Sequence, residues 1–242
     1  MGWRREGDWV RLADWEKKFA VMAGVTSRAM GNMKDPVVFR RQLGTAGLDP
    51  DRWVGGQQVH GGRVLPVIRP RVKEKDRTDG VVTQTPGLTL RVFTADCVPV
   101  FLLDPVQRAI GLVHAGWRGV QKGIVTTAIR TFVRRYHSRP KDLCVAFGPH
   151  IGACCYEVGP EVAAVFQGTP GAVSGIQRGS DRRMLNVSAV LCSQVVGAGV
   201  RREKITLAPG CTVCDRRYFS YRRERTEHRQ AALLCLKARQ LH

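Results

Sequence analysis

Long apolar runs and targeting signals are missing from this sequence of 242 residues. No apolar stretch approaches the ~18 residues of a membrane span, which excludes a helical span and argues against a membrane partner. Residues 1–19 are charged throughout, without the apolar core of a signal peptide, so we expect a cytoplasmic protein with reduced thiols. Because repeats and linkers are absent too, we predict one domain over residues 1–242, with 1–24 as its N-terminal extension.

Acidic residues are scarce: 20 Asp and Glu stand against 39 Lys and Arg, a net charge of +19. Such an excess attracts polyanions, and a non-enzymatic nucleic-acid binder is one alternative. Yet the basic residues are dispersed as pairs, with no long tract and no aromatic-interleaved motif. We therefore expect a solvated basic surface, anionic small substrates and no specific nucleic acid.

A second Cys-X-X-Cys pair is also missing. Cys211 and Cys214 form one such pair, but a zinc ribbon requires two, so the pair alone is a weak signal. Cys154 and Cys155 are adjacent, and neighbouring residues rarely reach disulfide geometry. We predict that these two are small buried side chains.

Strand-like and helix-like periods alternate along the chain. The apolar patterns predict strands at residues 88–95, 98–104, 108–114 and 143–149, and helices at 119–137, 159–167, 186–200 and 225–240. Residues 67–80 and 166–183 have the composition of surface loops. At least one antiparallel hairpin is expected, so the predicted fold class is α+β, with mixed β-sheets covered by helices.

Residues 104–107, DPVQ, have the chemistry of a tight turn. A hairpin centred there places Cys97 opposite His114, with Cβ atoms ~4.5–5.5 Å apart, unless a bulge shifts the register. A third candidate ligand is His60, which Gly61 and Gly62 follow. Two imidazoles, one thiolate and a position left to water are typical of a catalytic zinc site, although an isolated histidine in a glycine-rich turn is usually a surface side chain.

Five segments follow one another in the order QVHGGRV, TADCVPVFLLD, GLVHAGWRGV, GPHIGACCYEVGPEV and CTVCDRRYFSYRRE. Together they resemble the YfiH/DUF152 family, known as laccase-domain polyphenol oxidases and as purine nucleoside phosphorylases. The resemblance implies a CNF1/YfiH-like fold and zinc held by His60, Cys97 and His114, copper being the other candidate. It also implies phosphorolysis of adenosine, inosine and methylthioadenosine, with adenosine deamination as a side activity. The family usually has a glycine turn after its Arg-Arg pair, whereas residues 224–228 contain none.

The segment HAGWRG, residues 114–119, combines a predicted metal ligand with a candidate anion ligand. Arg118 falls in the first turn of the predicted helix, where free backbone N–H groups favour an anion. A guanidinium binds phosphate through two hydrogen bonds, so Arg118 is our first candidate for the phosphate ligand. The alternative is that Arg118 stacks on Trp117 or pairs with a carboxylate.

Two aspartates are candidates for the catalytic group beside Cys97 and His114. Asp96 either orients a histidine ligand or is a turn residue. Asp79 is either a turn aspartate or a general acid or base.

Four further residues match family blocks near the ligand site and are candidate substrate or phosphate contacts. They are Arg28, Asn32, Gln58 and Arg223, of which Arg223 either closes the pocket over a substrate phosphate or is a surface residue.

The leading hypothesis is a zinc-dependent purine nucleoside phosphorylase, a monomer or a homodimer. One alternative is a copper polyphenol oxidase, but the four other histidines, out of six, lie outside the ligand segments. Another is a metal-free hydrolase in which Cys97 is the nucleophile and His114 its base.

Overall fold

The computed structural model describes residues 2–68, 74–169, 171–174 and 183–238. The strands are β1 (Arg4–Glu6), β2 (Trp9–Arg11), β3 (Val21–Thr26), β4 (Trp53–Gly56), β5 (Val64–Pro66), β6 (Glu74–Lys75), β7 (Gly80–Thr83), β8 (Thr89–Thr94), β9 (Val98–Asp104), β10 (Ala109–Ala115), β11 (Cys144–Phe147), β12 (Glu157–Val158), β13 (Val173–Ser174), β14 (Arg183–Leu185), β15 (Ile205–Leu207) and β16 (Gln230–Leu236). The α-helices are α1 (Ala13–Phe19), α2 (Pro36–Thr45), α3 (Trp117–Gln121), α4 (Ile124–Tyr136), α5 (Pro160–Phe166), α6 (Val187–Gly197) and α7 (Tyr221–Glu224).

Within the described ranges the strands form three sheets. The first has the order β1-β2-β3-β16-β8-β4-β6, the second β15-β11-β9-β10-β7-β5, and the third, small sheet β12-β14-β13. Most pairs are antiparallel, but β4 runs parallel to both β6 and β8, β5 to β7, and β11 to β15. The predicted class, α+β with mixed sheets and helices in one domain, is confirmed.

The two large sheets pack face to face and a helical layer covers each outer face. Phe101, Leu103 and Ile110 from the second sheet meet Leu90 and Leu234 from the first in one buried cluster. Other apolar clusters join the second sheet to α4 and α6, and the first sheet to α2. Strands buried on both faces need apolar residues at every position, which is why β9 and β10 appear in the sequence as continuous apolar runs.

The predicted helix at 119–137 is two helices, α3 and α4, separated by Gly123 with a φ of +67°. The predicted apolar face of α4 is buried, including Ile124, Ala128 and Phe132, whereas Val133 at its margin is 38% exposed. No helix in the described part of the chain is both long and apolar enough to cross a membrane.

The predicted C-terminal helix at 225–240 is wrong. Residues 230–236 are strand β16, hydrogen-bonded between β3 and β8 and fully buried. The run QAALLCL has the alanines and leucines of a good helix former, but pairing on both edges in the centre of a sheet overrides that weak preference. Residues 239–240 of the predicted helix lie outside the described residues, as do parts of both predicted loops, 69–73, 170 and 175–182.

Residues 2–24 of the predicted N-terminal extension, 1–24, supply β1, β2, α1 and the start of β3. Strands β1 and β2 continue the first sheet beyond β3, which itself starts at Val21. Trp3 and Trp15 fill the core between the two large sheets, with the Trp3 ring 5.3 Å from that of Phe101. The extension therefore contributes to the same core as the remainder of the chain.

Candidate metal centre

The three predicted ligands, His60, Cys97 and His114, converge at one end of the second sheet. One potential ligand atom from each lies within 4.8 Å of the others. The Cys97 Sγ is 3.8 Å from His60 Nε2, and the two imidazole rings are 4.8 Å apart at nearly right angles. Burial is graded, because His114 is buried, Cys97 half-buried and His60 exposed. The group is therefore accessible from the His60 side.

The route by which Cys97 and His114 meet differs from the predicted one. Ala109 pairs with Asp104, and His114 pairs with Pro99, so the hairpin loop has four residues and the register is shifted by two positions. The predicted direct pairing of Cys97 with His114 is wrong. Cys97 precedes β9 in a bend of the chain, and its Sγ still lies beside the imidazole.

Asp79 contacts both histidines of the candidate site. Its Oδ1 is 2.9 Å from His114 Nδ1 and accepts the His60 N–H at 2.9 Å, while Oδ2 accepts the Gly61 N–H at 2.8 Å. Its own carbonyl accepts the His114 N–H at 2.7 Å. This aspartate is 0% exposed. Because the carboxylate bonds Nδ1 of His114, the opposite nitrogen, Nε2, is left for an ion.

The charges of the site favour a thiolate. Burial alone would raise the pKa of the Cys97 thiol, but His114 and His60 outweigh it and lower that pKa to about 6. Burial opposes protonation of His114, yet Cys97 and Asp79 raise the pKa of its imidazole to about 9. Burial also opposes ionisation of Asp79, but hydrogen bonds from His114 and from backbone N–H groups keep the pKa of its carboxyl below the ordinary value. Cys97 is thus ready to bind a cation at neutral pH.

The glycines of HAGWRG let the His60 loop approach β10 and α3. A Cβ on Gly116 would lie 2.6 Å from His60 Cδ2 and 3.2 Å from Cys97 Sγ. A Cβ on Gly119 would lie 2.9 Å from the Gly61 carbonyl oxygen. His60 itself has a φ of +56°, a left-handed conformation that is uncommon for a residue with a Cβ. The segment therefore supplies one candidate ligand, His114, and leaves space for another, His60.

Asp96, predicted as a histidine-orienting or turn residue, faces away from the imidazoles. Its carboxylate accepts hydrogen bonds from Thr212 Oγ1 at 2.6 Å, Ser220 Oγ at 3.1 Å and the Arg222 backbone N–H at 2.7 Å. Its φ of +90° places it in the bend before β9. Asp96 thus fastens residues 212–222 beside Cys97.

Two cavities meet at Cys97. The larger, about 510 Å³, is bordered by all three candidate ligands and by Phe93 and Tyr221. The smaller, about 140 Å³, lies on the other side of Cys97 and Tyr221. It is lined by Asp96, Gly116, Trp117, Tyr156 and Arg222, among others.

Arg118 is exposed at the start of α3, with its guanidinium carbon 4.5 Å from the Trp117 ring centroid. This is the stacking foreseen as the alternative to a phosphate contact. The stack lies close to the smaller cavity, since Trp117 lines it and the charge of Arg118 acts on Tyr156. Burial raises the pKa of the Tyr156 phenol, whereas Arg222 and Arg118 oppose that rise.

The other four predicted contacts make bonds within the protein. Gln58 borders the larger cavity, but its amide pairs with both backbone groups of Phe93, at 2.7 and 2.8 Å. Asn32 accepts the backbone N–H groups of Lys34 and Arg229.

Of the two arginines in that set, Arg223 lies on the segment that follows Cys211, and Arg28 packs against that segment. Arg28 pairs with Glu224 at 3.0 Å and covers the Phe219 ring at 5.0 Å. Arg223 donates to the carbonyls of residues 212, 213 and 218. Arg225 takes a φ of +52° after α7, where the family pattern has its glycine turn.

Sequence reasoning missed three basic side chains on the larger cavity: Lys34, Arg91 and Arg229. Arg91 is 3% exposed, pairs with Glu74 at 2.8 Å and lies 3.9 Å from the Phe93 ring centroid. The only signal in the sequence was a charged residue inside the apolar run of 88–95. Lys34 and Arg229 come from segments far apart in the chain, and no spacing rule joins them.

Known proteins resemble the chain over most of its length. The model of a family described as multi-copper polyphenol oxidoreductase laccase matches residues 27–237. A purine nucleoside phosphorylase of Mycobacterium bovis is 37% identical over 203 residues, 82% of this chain and 78% of the relative. Purine nucleoside phosphorylase YfiH of Escherichia coli is 32% identical over 200 residues, 81% of this chain and 79% of the relative.

Solved structures agree with this similarity. YfiH of Bacillus licheniformis superposes with a TM-score of 0.88 at 27% identity, covering 97% of this chain and 99% of the other. YlmD of Geobacillus stearothermophilus gives 0.87 at 27% identity, covering 98% and 99%. The predicted resemblance is confirmed, and the chain belongs to the multi-copper polyphenol oxidoreductase laccase family, the family of the YfiH proteins.

Proposed function

We propose that this protein is a zinc-dependent purine nucleoside phosphorylase. Its substrates are adenosine, inosine and methylthioadenosine, and deamination of adenosine to inosine is a side activity. The observation that carries the proposal is the convergence of His60, Cys97 and His114 within 4.8 Å beside a cavity of about 510 Å³. Relatives named purine nucleoside phosphorylase, at 32% to 37% identity, support the reaction class.

The donor set fits zinc. One thiolate and two imidazoles with an accessible side correspond to a catalytic zinc site, in which three protein ligands leave a position for water or substrate. The buried Asp79 fixes His114 so that Nε2 faces the thiolate, as carboxylate partners of zinc-bound histidines do. When bound, the ion supplies Lewis-acid polarisation of a substrate atom.

The larger cavity suits the nucleoside. Its volume of about 510 Å³ falls within the ~300–1,000 Å³ usual for small-molecule sites. Phe93 and Tyr221 provide aromatic surface for a purine, while Lys34 and Arg229 add positive charge at the same wall. We place the purine between the two aromatic side chains, with its ribose directed at Cys97.

The phosphate site in this proposal lies at the smaller cavity, between Arg118 and Arg222. Both guanidinium groups act on the Tyr156 phenol, and Arg222 donates only Nη1 in the described contacts, to the Glu157 carbonyl at 2.8 Å. Two such groups favour a doubly charged oxyanion. A phosphate oxygen forms a bond to C1′ as the bond from C1′ to the purine nitrogen breaks, and the base leaves with that electron pair and takes up a proton.

The direct test is incubation of zinc-loaded protein with adenosine and phosphate, with separation of products by chromatography. Adenine and ribose 1-phosphate in equal amounts are expected, together with a smaller amount of inosine. Omitting phosphate should abolish adenine formation and leave inosine formation intact. If fully zinc-loaded protein yields no free base from any of the three nucleosides, the proposal fails.

Replacing Arg118 tests the phosphate site. We expect Arg118→Gln to raise the KM for phosphate about 10-fold, because one charge-assisted contact is lost. The KM for adenosine should change little. Arg134→Gln, an exposed arginine on α4, is the matched control. An equal change in both KM values would show that Arg118 acts on the nucleoside or on folding.

A metal-free hydrolase is a second candidate, because Cys97, His114 and Asp79 are arranged as a nucleophile, a base and an orienting carboxylate. The proximity of His60 to the sulfur favours an ion instead. Metal analysis separates the two: a stoichiometric ion on Cys97 leaves no free thiolate.

Copper suits the same three ligand types. However, the other described histidines are dispersed: His137 follows the end of α4, His150 Nδ1 donates to the Gly148 carbonyl at 2.7 Å, and His228 packs on Phe219. An absorption band of blue-copper type in copper-loaded protein would favour oxidase chemistry.

We further propose a cytoplasmic protein, a monomer or a homodimer. The cysteines at eight positions are free thiols, which suits a reducing compartment. Light scattering on the purified protein measures the oligomeric state, and a homodimer twice the mass of 26.9 kDa is within the proposal.

A further inference from the structure

A second group of metal-ligating side chains lies outside the catalytic pocket. The Sγ atoms of Cys154, Cys155, Cys211 and Cys214 all lie within 4.8 Å of one another. Cys214 Sγ is 3.4 Å from Cys155 Sγ and 3.8 Å from Cys154 Sγ. The expectation that Cys154 and Cys155 are buried is wrong, because Cys154 is exposed and Cys155 half-buried. The missing second pair for Cys211 and Cys214 is thus supplied by two adjacent residues of another loop.

These distances match a tetrathiolate site. Four sulfurs bound tetrahedrally at a Zn–S length of ~2.3 Å lie about 3.8 Å from each other. A disulfide would need two sulfurs at ~2.05 Å, and all four side chains are free thiols. Four cysteines at this separation satisfy the complete coordination of zinc and leave no place for a substrate, which is typical of structural sites.

The backbone around Cys211 favours a thiolate. The Gly152 N–H donates to Cys211 Sγ at 3.1 Å, and the N–H groups of Val213 and Cys214 are directed at the same sulfur. Hydrogen bonds of this kind hold metal-bound sulfur. Arg223 places its guanidinium on the carbonyls of residues 212 and 213, adding a positive charge beside the loop that would carry two thiolates.

The two loops that meet at the cluster both lead to the catalytic pocket. Thr212, between Cys211 and Cys214, donates to Asp96, the neighbour of Cys97. The Ile151 N–H donates to the Asp96 carbonyl at 2.9 Å, and the Thr212 N–H donates to the His150 carbonyl at 3.0 Å. Tyr156 follows Cys155 directly and lines the smaller cavity.

We infer that Cys154, Cys155, Cys211 and Cys214 bind a second, structural zinc ion that joins the loop at 148–156 to the segment at 211–222. This site takes no part in bond making. It fixes the walls of the smaller cavity, and it stands whether or not the nucleoside reaction proposed above is correct.

Metal content per chain tests the inference. Wild-type protein loaded with zinc and passed through a desalting column should hold two zinc ions per chain by mass spectrometry of the metal. Cys97→Ser and Cys214→Ser should each hold one, and the double variant none. Cys192→Ser, which changes a half-buried cysteine of α6, is the matched control and should hold two.

A spectroscopic measurement covers the case in which Cys214→Ser fails to fold. In Cys97→Ser protein, titration with Co²⁺ should give the intense visible bands of a tetrahedral tetrathiolate complex, saturating at one ion per chain. Absence of these bands, or a wild-type zinc content unchanged by Cys214→Ser, overturns the inference. A disulfide within the cluster, detected as a mass lower by two hydrogens, overturns it as well.

Discussion

The two cysteine-containing centres of this protein differ in what holds them. At the first, His114 lies on a buried strand and Asp79 bonds both histidine ligands from a position that is 0% exposed. At the second, all four cysteines lie on loops, and Cys154 and Cys214 are exposed. The first has three candidate ligands that border a cavity, whereas none of the four cysteines of the second lines either of the two cavities described above. The sheet therefore fixes one candidate ligand of the first centre and the buried Asp79 ties the His60 backbone to it, whereas the second centre lies wholly on loops.

Because of this difference, the two centres should respond differently when the metal ion is removed. His114 on β10 and the His60 backbone bonded to the buried Asp79 need no ion to keep their positions, so the first centre should persist as a formed site in metal-free protein. Ligands on loops are brought together at an entropic cost, and binding of an ion offsets that cost. Removal of metal should thus loosen residues 148–156 and 211–222 while leaving β9 and β10 unchanged.

The largest expected effect is that of Cys97→Ser. Losing the thiolate removes the charged ligand of the first centre, and we expect phosphorolysis to fall by roughly three orders of magnitude, about 4 kcal/mol of transition-state stabilisation. Initial rates of adenine release measure it, with Cys192→Ser as the control. Retention of the second zinc ion in this variant would confirm that the centres are independent, and loss of both ions would contradict it.

Asp79→Asn should have the next largest effect and act on the first centre alone. The amide cannot accept every backbone N–H that the carboxylate now accepts, and it no longer favours the tautomer with Nδ1 protonated. Zinc affinity at the first centre should fall ~10–100-fold, as it does for other carboxylate partners of zinc-bound histidines. Competition with a chromogenic chelator measures it.

The control for that variant is Asp142→Asn, which removes a carboxylate paired with Arg139 near the surface. It should leave both zinc affinities unchanged. An unaltered affinity in Asp79→Asn itself would mean that the position of His114 is set by β10 without help from the carboxylate.

The first centre shows which features of a site can be predicted from the sequence. His60, Cys97 and His114 were identified by residue type and by resemblance, although the hairpin register offered as the reason was off by two positions. The register depends on whether the loop after Asp104 holds two residues or four, and DPVQ is compatible with both. Residue type predicted the site here, while the exact geometry required the fold.

The second centre, and the last strand, show why other parts were missed. Cys154 and Cys155 are adjacent in sequence, and nothing local indicates that another loop brings Cys211 and Cys214 within reach of them. β16 has the composition of a helix and becomes a strand because β3 and β8 offer it hydrogen bonds on both sides. Contacts between residues distant in sequence determine both the cysteine cluster and the strand. Sequence periodicity indicates only local structure, so it predicted neither. The role of Asp79 was undecided for the same reason, since its partners are distant in sequence.

Gly116→Ala should weaken the first centre more mildly. The new Cβ would lie 2.6 Å from His60 Cδ2, so the imidazole must move away from the thiolate. Overpacking of this kind costs ~1–3 kcal/mol, and we expect zinc affinity at the first centre to drop about 10-fold. Gly197→Ala, at a helical glycine with no atom within 4 Å of the added Cβ, is the control. Equal affinity in both variants would show that the His60 loop adapts.

The smallest expected effect is a difference in the pH dependence of thiol alkylation. The comparison is between Cys97 of the first centre and Cys154 of the second. In metal-free protein Cys97 has a pKa lowered to about 6, whereas burial raises the pKa of Cys154. Only the thiolate reacts with iodoacetamide. The alkylation rate of Cys97 should therefore reach half its maximum near pH 6 and about nine-tenths of its maximum at pH 7. Alkylation of Cys154 should still be rising above pH 8. Mass spectrometry of the two peptides measures both rates in one sample.

The same alkylation experiment on Asp79→Asn tests the direction in which the pH midpoint of Cys97 moves. His114 loses a partner that stabilises its protonated form, so its positive charge disappears at a lower pH and no longer supports the Cys97 thiolate. The midpoint for Cys97 should therefore move upward from about 6 towards the ordinary thiol value, while the profile of Cys154 stays in place. Zinc should suppress alkylation of Cys97 at every pH. A Cys97 midpoint that is unchanged in Asp79→Asn would assign the low pKa to His60 instead of to the pair of His114 and Asp79.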